Sequence, residues 1–174
     1  MHNKILTEIR NRLEQVHEPA RYLIREQHTK PQPGDIWRLP CGIVIPSYSF
    51  YVYEIIDGSA KVFPIFPWPE YAGPQDILLA KEFTSLNLAV SFELQNQIAI
   101  SVLSRYVVTV NPLIFEYISN AYQAFKQNIG KEQYAWGMEY IDEYDVRLKY
   151  HKRIQKHLEE ETTKIIRKEV NSDQ

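Results

Sequence analysis

The sequence predicts a mostly β domain with helical extensions, an α+β fold built around a small closed or half-closed barrel. Between residues 34 and 110, short β-rich stretches alternate with proline and tight-turn signals, which indicates five or six strands in about 80 residues. On either side of this region, apolar residues recur at three- and four-residue steps, the spacing of amphipathic helices. A four-stranded half of a sandwich is the alternative architecture.

The first 28 residues have the pattern of a helix, with one apolar face formed by Ile5, Leu6, Ile9, Leu13 and Val16. Pro19 breaks or kinks this helix, and a second short turn or two is expected over Ala20, Tyr22, Leu23 and Ile24. The proline-rich stretch 29–35 then reads as a hinge. We therefore predict an N-terminal helical segment over residues 1–30.

The central region contains strands separated by recognisable turns. The first three strands are expected within 34–39, 49–56 and 61–66, and Asp57-Gly58 is a hairpin signal between the second and the third. Later strands are expected in the stretches DILLA, AVSFEL and IAISVL, the last continuing into RYVVTV. Together with a closing helix, these strands make up the predicted barrel domain, residues 31–127.

A proline-rich stretch, VFPIFPWPEYAGPQD, follows the third strand at residues 62–76. Its prolines at positions 64, 67, 69 and 74 are expected to exclude a central strand or a helix interior. Phe66, Trp68 and Tyr71 are too many large rings for a barrel of this size to bury. The stretch is therefore either an aromatic anchor for a partner protein, or a lid over an open barrel end or the N-terminal helix.

Two helices are predicted after the strands. Asn111 is a plausible cap and Pro112 a first-turn residue for a helix that runs until Gly130 and packs on the barrel. The second helix is expected from about Glu139 to Glu169, within a C-terminal helical arm over residues 128–174. Its apolar residues form two stripes out of register, Ile141, Tyr144 and Leu148, and Ile154, Leu158 and Ile165.

Charge and composition narrow the function classes. The barrel region carries five Lys/Arg against eight Asp/Glu, a net of −3, which gives it no general attraction for nucleic acid. All five histidines lie outside residues 34–127, and we interpret them as solvated surface residues. The single cysteine, Cys41, excludes an intrachain disulfide and a cysteine-based metal cluster. Without a signal-peptide pattern or an apolar run of membrane-spanning length, a cytoplasmic protein is expected, with no membrane contact.

The C-terminal arm contains charged blocks. Residues 147–157 hold five Lys/Arg, which form either a solvated face balanced by flanking acids, with Glu143 paired to Arg147, or a contact for phosphates. Asp142, Glu143 and Asp145 spread around a helix at these spacings, so they are not expected to bind a metal. We expect neither a metal nor a cofactor.

Several stretches resemble the PemK/MazF-like family of bacterial growth inhibitors. PGDIW at 33–37 resembles the family's opening strand, FYVYEI and KVFPI resemble its paired second and third strands, and residues 88–122 resemble its closing strands and terminal helix. The resemblance covers roughly 90 residues. It implies an SH3-like barrel in a toxin–antitoxin-like bacterial setting, and many family members cleave single-stranded RNA.

The sequence departs from this family where the family's chemistry is located. Active members carry a glycine- and arginine-containing loop after the first strand, whereas residues 40–49 here contain no arginine and no acid. They also carry a serine or threonine after the Pro-Ile step, where this chain has Phe66. RNA cleavage requires a cation for the phosphate and a base for the 2′-hydroxyl. Arg38, Arg105 and Glu54 are the alternative candidates for those roles.

We therefore predict a non-catalytic protein-interaction or regulatory module built on a PemK-like barrel that lacks the catalytic loop. A divergent endoribonuclease or RNA-binding protein is the alternative, so the sequence alone leaves open whether the chain is an enzyme. A protein partner or a homodimer is expected. The predicted partner-binding residues are Phe66, Trp68, Tyr71, Ile154 and Leu158.

Overall fold

The computed structural model describes residues 23–24, 28–39, 49–79 and 87–172, and it describes side chains for residues 28–39, 49–79 and 87–160. These residues form an antiparallel sheet with a helix on each face. Within the predicted N-terminal helical segment, residues 1–22 and 25–27 lie outside the described residues, as do residues 40–48 of the loop 40–49. The division of the chain into 1–30, 31–127 and 128–174 stays a prediction.

The sheet contains eight strands, and every pairing is antiparallel. Seven of them follow the order β1-β8-β2-β3-β4-β6-β5, and β7 pairs with β4 off this path. Among the described residues, the two end strands of the path do not pair with each other, so the sheet is open and the closed form of the predicted barrel is wrong. The strands are β1 Leu23–Ile24, β2 Asp35–Arg38, β3 Ser49–Ile56, β4 Ser59–Phe66, β5 Asp76–Leu79, β6 Leu88–Ser91, β7 Asn96–Ala99 and β8 Arg105–Val110.

Strand β4 includes Pro64 although it lies inside the sheet. The strand pairs with β7 over Ser59–Val62 and with β6 at Ile65 and Phe66, while β3 pairs along its other side. Pro64 falls in the gap where β4 changes partner, and a residue without an N–H is tolerated best where a ladder is interrupted. The expectation that the prolines exclude a central strand was therefore wrong for Pro64.

Leu23 and Ile24 form a short strand instead of the predicted helical turn. They pair with Val110 and Thr109 at the edge of β8. An isolated helical turn is unstable in water, whereas the open edge of β8 supplies hydrogen-bonding groups for an extended segment. The long-range pairing therefore overrides the local apolar spacing.

Two helices flank the sheet. Helix α1, Pro112–Gln127, begins as predicted, because the Asn111 side chain accepts a hydrogen bond from the Ile114 amide at 3.0 Å. Helix α2, Val146–Ser172, begins later than the predicted start at Glu139. The Asp145 carboxylate accepts the Arg147 amide at 3.0 Å and caps α2. The residues just before Asp145 form bends and turns and are not part of the helix.

The helices bury opposite faces of the sheet. Ile114, Ile118 and Tyr122 of α1 share one apolar cluster with Tyr51 and Phe63. Ile154 and Leu158 of α2 share the other cluster with strand residues that include Trp37, Phe50 and Phe66. Because adjacent residues such as Phe50 and Tyr51 enter different clusters, the strand alternation is used on both faces. Among the described residues, neither helix is both long and apolar enough to cross a membrane.

Candidate functional site

The three candidates for the alternative, catalytic function occupy two separate places. Arg38 on β2 and Arg105 on β8 lie opposite each other in register. Ser49 is the β3 partner of Arg38, and Glu54 lies five residues further along that strand, which is roughly 17 Å at a rise of about 3.3 Å per residue. The two cations are thus neighbours and the carboxylate is not. Their catalytic role stays a prediction.

Glu54 lines a cleft of about 280 Å³ beside β3, β4 and β7. Lys61 lies opposite Glu54 across β3 and β4, and Gln97 lies opposite Lys61 across β4 and β7. The Lys61 ammonium also sits 5.1 Å from the centre of the Tyr122 ring. The remaining lining residues are Ile56, Ser59, Gln95 and Asn96. The cleft offers hydrogen-bonding groups of both kinds, but it does not include either arginine.

Three of the five predicted partner-binding residues lie in the core. Phe66, Ile154 and Leu158 are buried, at 0 %, 1 % and 1 % exposure. Trp68 is half-buried and Tyr71 is exposed, so only these two present surface. The role of all five in partner binding stays a prediction.

The aromatic loop, residues 66–72, folds onto α2. The Phe66 ring stacks on His151 with centroids 4.9 Å apart, and the Tyr71 ring lies 4.9 Å from that of Tyr150. The ring centroids of Trp68 and Tyr71 lie 5.9 Å apart. The contacts described for this loop are with α2, which is neither the open barrel end nor the N-terminal helix named in the lid hypothesis, so that hypothesis stays a prediction.

A group of ionisable side chains, which we call the polar clasp, lies beside the aromatic loop and consists of Asp76, Glu93, Tyr140 and His151. His151 is only 4 % exposed, and its Nε2 lies 2.9 Å from the Tyr71 carbonyl oxygen and 3.6 Å from Asp76 Oδ2. Its Nδ1 lies 3.1 Å from the Tyr140 hydroxyl and 3.7 Å from Glu93 Oε2. The clasp therefore joins β5, the turn after β6, the segment before α2 and α2 itself.

The hydrogen bonds of the clasp favour a charged His151. The Tyr140 hydroxyl donates its hydrogen to Glu93 at 3.1 Å, so the Tyr140 oxygen can only accept a hydrogen bond from Nδ1–H of His151. Nε2–H of His151 donates to the Tyr71 carbonyl oxygen, so both ring nitrogens carry a hydrogen. Burial lowers the pKa of His151, but Glu93 and Asp76 outweigh burial and hold this pKa above its ordinary value. The His151 ring, 3.7 Å from Glu93 Oε2, lowers the pKa of Glu93.

The interpretation of the histidines as solvated surface residues was wrong for two of them. His151 and His157 are both buried, at 4 % and 6 % exposure. They lie on the same side of α2 as Ile154 and Leu158, which also face the sheet. The three- and four-residue steps among these residues were the signal in the sequence, but the surrounding charges concealed it.

Asp76 is the most deeply buried carboxylate of the clasp. Its Oδ2 accepts the Gly73 amide at 2.7 Å and is also hydrogen-bonded by Ser91, while Oδ1 has no hydrogen-bond partner among the described residues. Desolvation raises the pKa of Asp76 to about 6. The protonated carboxyl is therefore favoured in the folded chain more than in the unfolded one.

The raised pKa values of Asp76 and His151 predict that these two groups stabilise the fold less as the pH rises, whereas the lowered pKa of Glu93 has the opposite sign at acidic pH. For Asp76, the contribution is complete below its unfolded pKa of 3.8 and is lost as the pH rises through about 6. That loss is about 3 kcal/mol, at 1.36 kcal/mol per pKa unit. His151 has the same sign, because its contribution is complete below its unfolded pKa of 6.5 and is lost as the pH rises through its higher folded pKa.

Urea unfolding of Asp76→Asn and of the parent chain between pH 4 and 8 tests this expectation. The difference in free energy of unfolding between the two proteins should change as the pH rises from about 4 to about 6 and stay constant above that range. Asp142→Asn, at an exposed position before α2, is the matched control and should follow the parent. Parallel pH profiles for Asp76→Asn and the parent would contradict the assignment.

Arg147 is a second buried polar centre, next to the clasp. It is 7 % exposed, and its guanidinium donates to the carbonyl oxygens of Ala72, Met138 and Glu139 at 2.7–2.9 Å. It also pairs with Asp145, with Nη2 to Oδ2 at 2.6 Å. Hydrogen bonding within this pair lowers the pKa of Asp145 and raises that of Arg147. Arg147 therefore pairs with Asp145 and not with Glu143, and it does not belong to a solvated face.

Two glycines let the segments around Arg147 meet. A Cβ on Gly73 would lie 2.2 Å from the Tyr140 hydroxyl, and one on Gly137 would lie 2.3 Å from the Gly73 carbonyl oxygen. Gly137 faces backbone atoms that cannot move aside, so this position requires glycine, whereas a side chain at Gly73 would displace the Tyr140 ring from the clasp. The aromatic loop and the segment before α2 are thus in direct backbone contact.

The exposed loop, residues 138–146, is the most apolar surface segment described. Met138, Ile141, Tyr144 and Val146 are 76 %, 88 %, 73 % and 70 % exposed. The Arg147 guanidinium donates to the carbonyl oxygens of Met138 and Glu139. The Asp145 carboxylate accepts the Ile141 amide at 3.0 Å. Three acids lie between the apolar residues and are also exposed, Glu139, Asp142 and Glu143. The predicted stripe of Ile141, Tyr144 and Leu148 is thus not a helix face.

No family model matches this chain, and no curated protein matches it. Among solved structures, it is similar to a chain described as an endoribonuclease in complex with its cognate antitoxin from Mycobacterial species. The two share 12 % identity with a TM-score of 0.43, and the match covers 59 % of this chain and 97 % of the other. A likeness at this level assigns neither an activity nor a site residue.

Proposed function

We propose that this chain is a non-catalytic protein-interaction or regulatory module on a PemK-like fold, and that the exposed loop is its contact surface. The observation that carries the proposal is the loop itself, which presents four large apolar side chains, each at least 70 % exposed. Exposed apolar patches with polar residues around them are typical of protein interaction sites. We also propose that the protein acts in the cytoplasm.

The shape of the loop supports this function. Its backbone is held by Arg147 and Asp145, and the Asp142 side chain accepts the Tyr144 amide at 2.8 Å. A loop that is already ordered loses little conformational entropy when a partner binds. Aromatic residues in such a setting contribute strongly to binding, so Tyr144 is the expected centre of the contact.

The position of the ionisable groups also favours binding over catalysis. Asp76 and His151 are buried and hold the aromatic loop and α2 together. Arg38 and Arg105 are separated from Glu54 along β3. General acid–base chemistry requires such groups within hydrogen-bond reach of a substrate, and this arrangement does not provide it for the predicted residues.

Substitutions at exposed apolar positions inside and outside the loop test the proposal. Ile141→Asp combined with Tyr144→Asp should reduce capture of the native partner by at least about tenfold, because two apolar contacts are replaced by charges. Ile129→Asp is the control, since Ile129 is 72 % exposed but lies outside the loop. Capture is measured by cross-linking a tagged chain in its own cells, and circular dichroism checks that the variants fold. Equal capture by the loop variant and the parent would refute the proposal.

The register of Arg38 and Arg105 supports the second candidate function, RNA binding or cleavage. Two adjacent cations at one end of β2 and β8 are suited to a phosphate. The same protein preparations are therefore incubated with a pool of single-stranded RNA. Cleavage or retention that is lost in Arg105→Ala and kept in the loop variant would replace the proposed function with this alternative.

A further inference from the structure

The exposed face of α2 is basic and continues directly from the exposed loop. Lys149, Lys152 and Arg153 are all exposed. Val146 lies three residues before Lys149 and seven before Arg153, so Val146, Lys149 and Arg153 share one helix face. One surface therefore runs from an acidic, apolar end at residues 138–146 to a basic end about 10 Å further along the helix.

Within the part of the chain that the structure describes, neither end of this surface is neutralised by ion pairs. Among the described residues, the three acids of the exposed loop form no ion pair, and the same holds for the three cations on α2. Further along, Lys156 is paired with Glu160 at 3.9 Å. The surface thus has equal and opposite charges at its two ends, with Tyr144 and Val146 between them.

We propose that a second copy of this chain binds here, with the two α2 helices antiparallel about a two-fold axis near Val146. This inference rests on the proposed function and names its partner. In that arrangement, the acids of each exposed loop face the cations of the other helix, so the same attraction occurs twice. A two-fold interface requires such a self-complementary surface.

The apolar residues have a defined place in this arrangement. Tyr144 and Val146 lie beside the axis and contact their own counterparts, while the charged groups surround them. An apolar centre with a charged rim is the usual organisation of a protein interface. An RNA partner fits less well, because Asp142 and Glu143 would repel phosphates next to the basic residues.

Sedimentation equilibrium of the full chain at low and high salt gives the first measurement. We expect a dimer with a Kd on the order of 10 µM in about 50 mM salt. In about 500 mM salt the Kd should rise at least about tenfold, because exposed charge pairs are screened. A chain that is monomeric at about 200 µM in low salt would overturn the inference.

Complementary charge reversals give the decisive measurement. Asp142→Lys with Glu143→Lys makes the loop basic, and Lys152→Glu with Arg153→Glu makes the helix acidic. Each variant alone should dimerise at least about tenfold more weakly than the parent, because both contacts become repulsive. An equimolar mixture should form a heterodimer with nearly parental affinity, since both contacts are again attractive. Parental dimerisation of either single variant, or no recovery in the mixture, would overturn the inference.

The outcomes also separate this inference from the proposed function. If the parent chain is monomeric while Ile141→Asp with Tyr144→Asp still abolishes capture of another protein, the second-copy inference fails and the proposed function stands. If the parent dimerises and those two substitutions leave both dimer and capture unchanged, the exposed loop is not the contact surface and both fail. Tyr144→Ala alone should weaken the dimer without changing its dependence on salt, because it removes no charge.

Discussion

Replacing Phe66 with alanine is expected to lower the free energy of unfolding by about 3–5 kcal/mol, as truncation of a buried phenylalanine generally does. The ring is fully buried and contacts both His151 and Tyr150. The sheet lies on one side of it and α2 on the other, so the cavity cannot collapse easily. Urea unfolding followed by far-ultraviolet circular dichroism measures the change.

Leu113→Ala is the control for this experiment, because Leu113 is 62 % exposed. Its effect should stay within about 0.5 kcal/mol, as for most surface substitutions. A loss below about 1 kcal/mol for Phe66→Ala would show that the aromatic loop does not pack on α2 as described.

Arg147→Met is expected to lower the Tm by about 10 °C. The substitution leaves the carbonyl oxygens of Ala72, Met138 and Glu139 without their donor, and it removes the partner of Asp145. Buried acceptors without partners are strongly destabilising. Differential scanning calorimetry gives the Tm, and amide hydrogen exchange at Ile141 should become faster as the exposed loop loses its support.

Two further variants sharpen this experiment. Arg153→Met removes an exposed cation of the same helix and should leave the Tm within about 1–2 °C of the parent. Arg147→Lys keeps the charge but cannot form the forked contact with Asp145, so its Tm should be intermediate. Equal melting of Arg147→Met and Arg153→Met would contradict the structural role assigned to Arg147.

Much of the sheet could be predicted from local pattern. The alternation in 49–56, the Asp57-Gly58 turn and the Asn111 cap depend on neighbouring residues, and the structure has β3, β4 and the start of α1 at these places. Leu23–Ile24 and Pro64 could not be placed in this way. Both depend on which strand lies alongside, and such pairings are set by the whole fold and not by adjacent residues.

The site was less predictable because its parts come from distant places in the sequence. Arg147 and His151 are four residues apart on the face that also carries Ile154, which indicates burial, yet the nearby lysines suggested a solvated helix. The groups that make burial possible are Asp76 on β5 and Glu93 after β6. A sequence shows that such carboxylates exist, but not that they meet one histidine.

Helix α2 follows every described strand in the sequence, and this order has a consequence for biosynthesis. Synthesis proceeds from the N-terminus at roughly 5–20 residues per second, so Phe66, Ala72 and Asp76 emerge well before the helix that covers them. Until residue 158 has left the ribosome, the apolar face of the sheet beside the aromatic loop has no cover. A stop codon near residue 145 would therefore yield a chain with its aromatic loop and one sheet face open to chaperones, proteases and other nascent chains.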